Sequence, residues 1–222
     1  RQMCIRDRDK CELEMIAGGC DRETHRRRFR TKLIAMGMCG YDRVLVEPSG
    51  VYDVDEFFDV LRDEPLDRWY KIGNVITVVN AKLEPELSEM SEYLLASEAA
   101  HAGVVVLSRA EEATEEEMQA TITHLNRALE KVHCGRRLDQ EIIRKGSLSL
   151  TDADFAKIQQ CGYVQENYQK MDLTEENSFD TVYVMERKMT VEEILAGMKK
   201  IFADPSCGEV FRIKGFMQEE NG

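Results

Sequence analysis

Residues 42–50, DRVLVEPSG, are the stretch on which the reading of this chain turns. Val44, Leu45 and Val46 form a short apolar run of the kind a buried parallel strand needs. An acid, Glu47, closes the run, and Gly50 follows three residues later. A carboxylate at the carboxyl end of a buried strand stands where open α/β sheets bind their ligands. There it can hold a metal-bound water or orient an attacking one, and a glycine lets backbone N–H groups approach a phosphate oxygen. Glu47 and Gly50 are therefore the candidate catalytic residues. A strand that ends in an ordinary Pro-Ser-Gly turn would carry the same letters.

Working outward, three strand-then-helix units follow one another. After 42–47, Asp53 and Glu56 have the spacing of a capping box, and Phe57, Phe58, Val60 and Leu61 give the next helix an apolar side. The β-branched run 74–79 (NVITVV) precedes a helical stretch over about 85–101. The third strand, 103–107 (GVVVL), leads to a helix capped by Thr114 and Glu117. Its apolar positions, Met118, Ile122, Leu125, Leu129 and Val132, step by four, three, four and three, which is one buried stripe. Strands alternating with helices, each strand apolar on both faces, predict an α/β fold with a parallel sheet covered on both sides.

Past Arg144 the character changes. A short capped helix is predicted from Thr151 to about Gln160, with Phe155 and Ile158 inward, and residues 166–177 read as a polar linker. The alternating stretch 178–187 (SFDTVYVMER), a capped helix with Ile194, Met198, Ile201 and Phe202 on one face, and 208–216 (GEVFRIKGF) make a β-α-β unit. That predicts a small separate α+β domain.

At 222 residues, 43% hydrophobic and 32% charged, the chain can bury a real core. A formal net charge of -12 argues against nucleic acid or an anionic membrane as partner. No apolar run approaches the roughly 18 to 20 residues of a membrane span. The seven cysteines are odd in number and scattered without a C-x-x-C pair, which reads as reduced thiols and a cytoplasmic location. Residues 1–8 (RQMCIRDR) begin without methionine, lack periodicity and resemble translated sequencing-adapter read-through; the gene-derived sequence is expected to start near Asp9.

Taken together, these residues resemble the CobW-type GTPases, the metallochaperone-like branch of the P-loop nucleotidases related to urease and hydrogenase accessory proteins. Glu47-Pro48-Ser49-Gly50 resembles the family's E-S/T-x-G-type Walker B segment, and NVITVVNA (74–81) its following V-V-x-V-V-D-A strand. AAHAG (99–103) with VVVLSRAE resembles the strand that carries the guanine-recognition motif. Leu125-Asn126 resembles the L-N near the end of the next helix, and VFRIKGF the R-x-K-G strand of the C-terminal domain. The likeness runs over residues 9–217 and implies a nucleotide-binding domain over 9–146, a connecting helix and linker over 147–177, and a C-terminal α+β domain over 178–222.

The resemblance further implies GTP and Mg²⁺ as cofactors, with Glu47 acting through the metal or the attacking water and Gly50 meeting the γ-phosphate. It implies base reading by Ser108, Arg109 and Glu111, which stand for N-K-x-D, and a metal-receiving partner protein. The departures are as informative. The 222 residues hold no G-x-x-x-x-G-K-S/T, so the first strand and P-loop are expected upstream of Asp9 and this chain is expected to be inactive by itself. Of the family's C-x-C-C metal motif only Cys20 stands, leaving it the candidate ligand for Zn²⁺ or another transition metal, with His25 five residues on. Asn80 replaces the usual aspartate. Two rivals stay open: a non-enzymatic interaction domain on a degenerate nucleotidase frame, and a metal carrier for which nucleotide is secondary.

Overall fold

The computed structural model describes residues 14, 16, 22–48, 54–171, 189–208, 210 and 213. The chain divides into two compact units, Arg1–Ser178 and Phe179–Gly222.

In the first unit β1 (Ile76–Asn80), β2 (Val104–Ser108) and β3 (Ile142–Ile143) form one parallel sheet in that order. Val78 stands opposite Val106 and Asn80 opposite Ser108, while Val106 stands opposite Ile143. Two helices, α4 (Glu89–Ala100) and α5 (Glu115–Lys131), pack on one another and share a core with the sheet. Val79, Val105, Leu107 and Ile142 meet the α5 stripe of Met118, Ile122, Leu125 and Leu129. From α4 come Ala96, Ala99 and Ala100, all fully buried, whose small side chains let the helix lie close to the strands. The α5 start is the capping box read from Thr114 and Glu117.

The opposite face is less covered than predicted. On β1 the side chains alternate, Thr77 and Val79 buried but Ile76 and Val78 exposed, Val78 by 63%. The expectation of a sheet covered on both sides therefore fails at β1 and holds better at β2, where Val104, Val105 and Leu107 are buried.

A second cluster gathers α1 (Arg22–Cys39), α2 (Val54–Arg62) and α3 (Leu66–Trp69) around Phe29, Leu33, Val60 and Leu66. Phe29 and Phe57 stack with centroids 5.3 Å apart, and the Tyr70 hydroxyl donates to the Leu33 carbonyl at 2.7 Å. Gly37, an otherwise unfavourable helix residue, has its reason here: a Cβ would stand 2.7 Å from a ring carbon of Trp69.

The predicted strand 42–47 is not one. This stretch has no regular structure, Leu45 is 89% exposed, and only Val44 turns in, against the α1–α3 cluster. Three apolar residues make a buried strand only where a neighbouring strand and covering layers meet them, and among the described residues the sheet ends at β1. Phe155 departs too. The capping box of Thr151 and Asp154 opens α6 (Asp152–Gln159) as read, but Phe155 is exposed and only Ile158 half-buried. The described start of the stretch read as a linker, residues 166–171, is tied to the helices: Gln169 N–H donates to the Val132 carbonyl at 2.7 Å, and just before it Val164 N–H donates to that of His101 at 3.1 Å.

In the second unit α7 (Val191–Ala203) begins at the capping box of Thr190 and Glu193. Ile194 and Met198 are half-buried, Ile201 and Phe202 exposed. The expected strands at 178–187 and 208–216 lie almost wholly outside the described residues.

One buried hydroxyl locks the loop that leaves the sheet. Thr121 Oγ1, on α5, donates to the Ala81 carbonyl at 2.8 Å and accepts from Leu83 N–H at 3.2 Å. Thr121→Val keeps the shape and strands both backbone groups, so it should cost about 1–3 kcal/mol in urea unfolding; an unchanged midpoint would show that water replaces the hydroxyl.

Candidate functional site

The parallel register sets the carboxyl ends of the strands side by side, at Asn80, Ser108 and Ile143. Three local bonds fix the turns there. Asn80 Oδ1 accepts from Lys82 N–H at 3.1 Å, Ala81 N–H donates to the Ser108 carbonyl at 2.9 Å, and the Ser108 hydroxyl donates to the Val79 carbonyl at 3.2 Å. Ser108 thus binds its own sheet.

Beyond Ser108 the chain turns through Arg109, whose φ of 59° is left-handed, into a 3-10 turn over Ala110–Glu112. Ala110 is buried and anchors that turn. Arg109 is committed to the carboxylate of Glu112 through Nε at 3.0 Å and a second, shorter bond from Nη2. Glu111 is left exposed, with no hydrogen bond or ion pair among the described residues. A carboxylate in that state is available to two donors on one edge of a ligand.

The turn after β3 comes to meet it. A Cβ at Gly146 would stand 2.0 Å from Glu111 Oε2 and 2.7 Å from its Cδ, so glycine is what lets the two loops approach. Lys145 Nζ, 2.7 Å from Asp154 Oδ2, and the 3-10 turn Ser147–Ser149 hold this second loop. The neighbourhood of Gly146 is the part of the site that sequence reasoning missed; its one local signal is a glycine three residues past a short apolar strand.

Of the other predicted residues, Glu47 is exposed on irregular chain and makes no hydrogen bond or ion pair among the described residues. Gly50 and Cys20 lie outside the described residues. The structure sets Glu111 against Gly146, and among the described residues Glu47 makes no hydrogen bond or ion pair with Ser108, Arg109 or Glu111. Among the described residues no three His, Cys, Asp or Glu side chains converge on a site for a metal ion. Gly146 is itself buried, and the Glu111 carboxyl fills the space a side chain there would take.

A family model for CobW/HypB/UreG, nucleotide-binding domain, matches residues 2–135. No curated protein and no solved structure matches the chain significantly.

Two acids on α4 differ in what surrounds them. At Glu92 burial opposes the charge, but a 2.8 Å hydrogen bond from His124 and the ammonium of Lys131 at 3.2 Å outweigh it and hold the carboxyl below its usual range. Glu98 has burial alone, which pushes its carboxyl up to about 7. Because the folded chain holds that proton more tightly than the unfolded one, Glu98 costs nothing near pH 4, and its penalty grows as pH rises from the ordinary glutamate range to about 7. Glu98→Gln is therefore expected to raise the melting temperature at pH 8 and leave it unchanged at pH 4. An equal shift at both would assign the effect to shape.

Proposed function

This chain belongs to the CobW/HypB/UreG family, and from that premise we propose that it serves a GTP-driven protein of metal insertion or metal homeostasis. The observation that carries the reading is the free Glu111 carboxylate, set against Gly146 at the carboxyl ends of a parallel sheet. A carboxylate there accepts from the N1–H and exocyclic amine of guanine together, and from adenine, whose matching edge has an acceptor at N1, it cannot. Arg109, bound to Glu112, sets the loop, and its stem is the flat surface offered to the base. Ser108 fixes the end of β2 under that loop.

Glu47 and Gly50 are proposed for the phosphate end, Glu47 to orient an attacking water and Gly50 to admit a phosphate oxygen. Bound Mg²⁺ would supply neutralisation of charge on the phosphates. The transition metal is cargo in this reading, delivered to a receiving partner protein, with Cys20 as candidate thiol. Residues 9–146 are assigned the nucleotide and residues 178–222 the C-terminal domain.

A second reading has its own observation. Asn80 stands where the family usually has aspartate, and its side chain closes a turn on Lys82 N–H. A frame whose ligand positions have taken structural tasks suits a non-enzymatic interaction domain.

The two readings separate in an amide-resonance titration of the chain. The 222 residues contain no G-x-x-x-x-G-K-S/T motif, so binding is expected to be weak and hydrolysis negligible. GDP should nevertheless shift the Glu111 and Gly146 amides at about tenfold lower concentration than ADP, the order expected of one bidentate pair. Glu111→Gln should abolish the preference. Gly146→Ala should do the same with little loss of stability, because the added methyl displaces only the flexible end of Glu111. Equal response to both nucleotides removes the guanine reading, and silence to both leaves the interaction domain.

A further inference from the structure

Asp55, the second residue of α2, meets side chains from two other parts of the chain, the end of α4 and the segment 163–170. Its Oδ2 accepts from the Tyr168 hydroxyl at 2.8 Å and lies 3.2 Å from Lys170 Nζ; its Oδ1 lies 3.6 Å from His101 Nε2. Tyr168 Oη is also 2.8 Å from Ser97 Oγ. With the single tyrosine proton given to Asp55, the Ser97 hydroxyl must donate to Tyr168. His101 Nδ1 stands 3.0 Å from the Val164 carbonyl, which can only accept, so that nitrogen carries a hydrogen. Ser97 and His101 are buried on α4 and at its end, and the rings of Phe58, His101 and Tyr168 follow one another at 5.1 and 5.7 Å.

The surroundings act on the charge in one direction. His101, Tyr168 and Lys170 hold the Asp55 carboxyl well below the usual range against the burial that would raise it, while burial and the Asp55 charge push the Tyr168 phenol up. The carboxylate and the phenol O–H are thus the forms kept together across neutral pH.

What the cluster joins gives it meaning. α2 begins seven residues after Glu47, and Tyr168 and Lys170 lie on the segment that runs on toward the second compact unit. We propose that Asp55 is a coupling residue: through Tyr168 it makes the start of α2 and the segment 163–170 move as one body, so that displacement at either is felt by the other. Its use in a nucleotide cycle rests on the function proposed above; the mechanical link does not.

Hydrogen exchange on the whole chain, without nucleotide, tests it. Asp55→Asn and Tyr168→Phe should each speed exchange about tenfold at both the first turns of α2 and the amides of Val164 and Gln169, the order of one hydrogen bond to a charged group. The double variant should speed exchange by clearly less than the product of the two single effects, since the Asp55–Tyr168 bond is common to both. The α5 amides serve as the internal check that the core is intact. Faster exchange at α2 alone, or effects that multiply in the double variant, would overturn the coupling. Because no nucleotide is present, either result leaves the guanine titration to stand or fall separately.

Discussion

Parallel pairing of β1, β2 and β3 is the constraint on which the rest of the first unit depends. Strands that run the same way send all their carboxyl ends to one edge, and the loops that leave them must share that edge. Glu111 follows β2 and Gly146 follows β3, far apart in sequence and adjacent only for this reason. The same geometry sends the chain back over the helices between strands, which is why α4 and α5 lie together on the face that Val79, Val105 and Leu107 present.

Close packing then fixes which polar groups can live inside. Alanine-rich α4 approaches the sheet so nearly that Thr77 Oγ1 reaches the Glu98 carbonyl at 2.8 Å. Thr121 likewise holds the loop after β1 from the side of α5. Two acids on α4, Glu92 buried and Glu98 half-buried, have opposite fates under these conditions. Glu92 turns to His124 and two cations of α5 and stays charged; Glu98 has no such partner, and burial alone governs its proton. Position on a helix, about one and two-thirds turns apart, decides between them.

Much of this was legible before any coordinates. The α5 stripe, the Thr114, Thr151 and Thr190 caps and the runs that became β1 and β2 each follow from local chemistry: apolar period, hydroxyl followed three residues later by acid, β-branched clusters. The failures share a cause as well. Val44–Val46 and Phe155 were read as buried because they are apolar, yet an apolar side chain is buried only if another layer comes to cover it. The polar stretch around Tyr168 was read as linker, though Asp55, Ser97 and His101 offer it partners from α2 and α4.

By itself, then, the sequence determined the α/β class, the order of the main strands and helices, the helix starts and the family, since all of these rest on neighbours within a few residues or on motif order. Only the tertiary structure decided that Glu111 is free while Glu112 takes Arg109, that Gly146 lies beneath it, that residues 42–47 stay outside the sheet, and that Asp55 holds Tyr168. Each of those is a contact between residues distant in the chain or a choice between equivalent partners. A one-dimensional pattern contains the chemistry of such groups but not the distances that select among them.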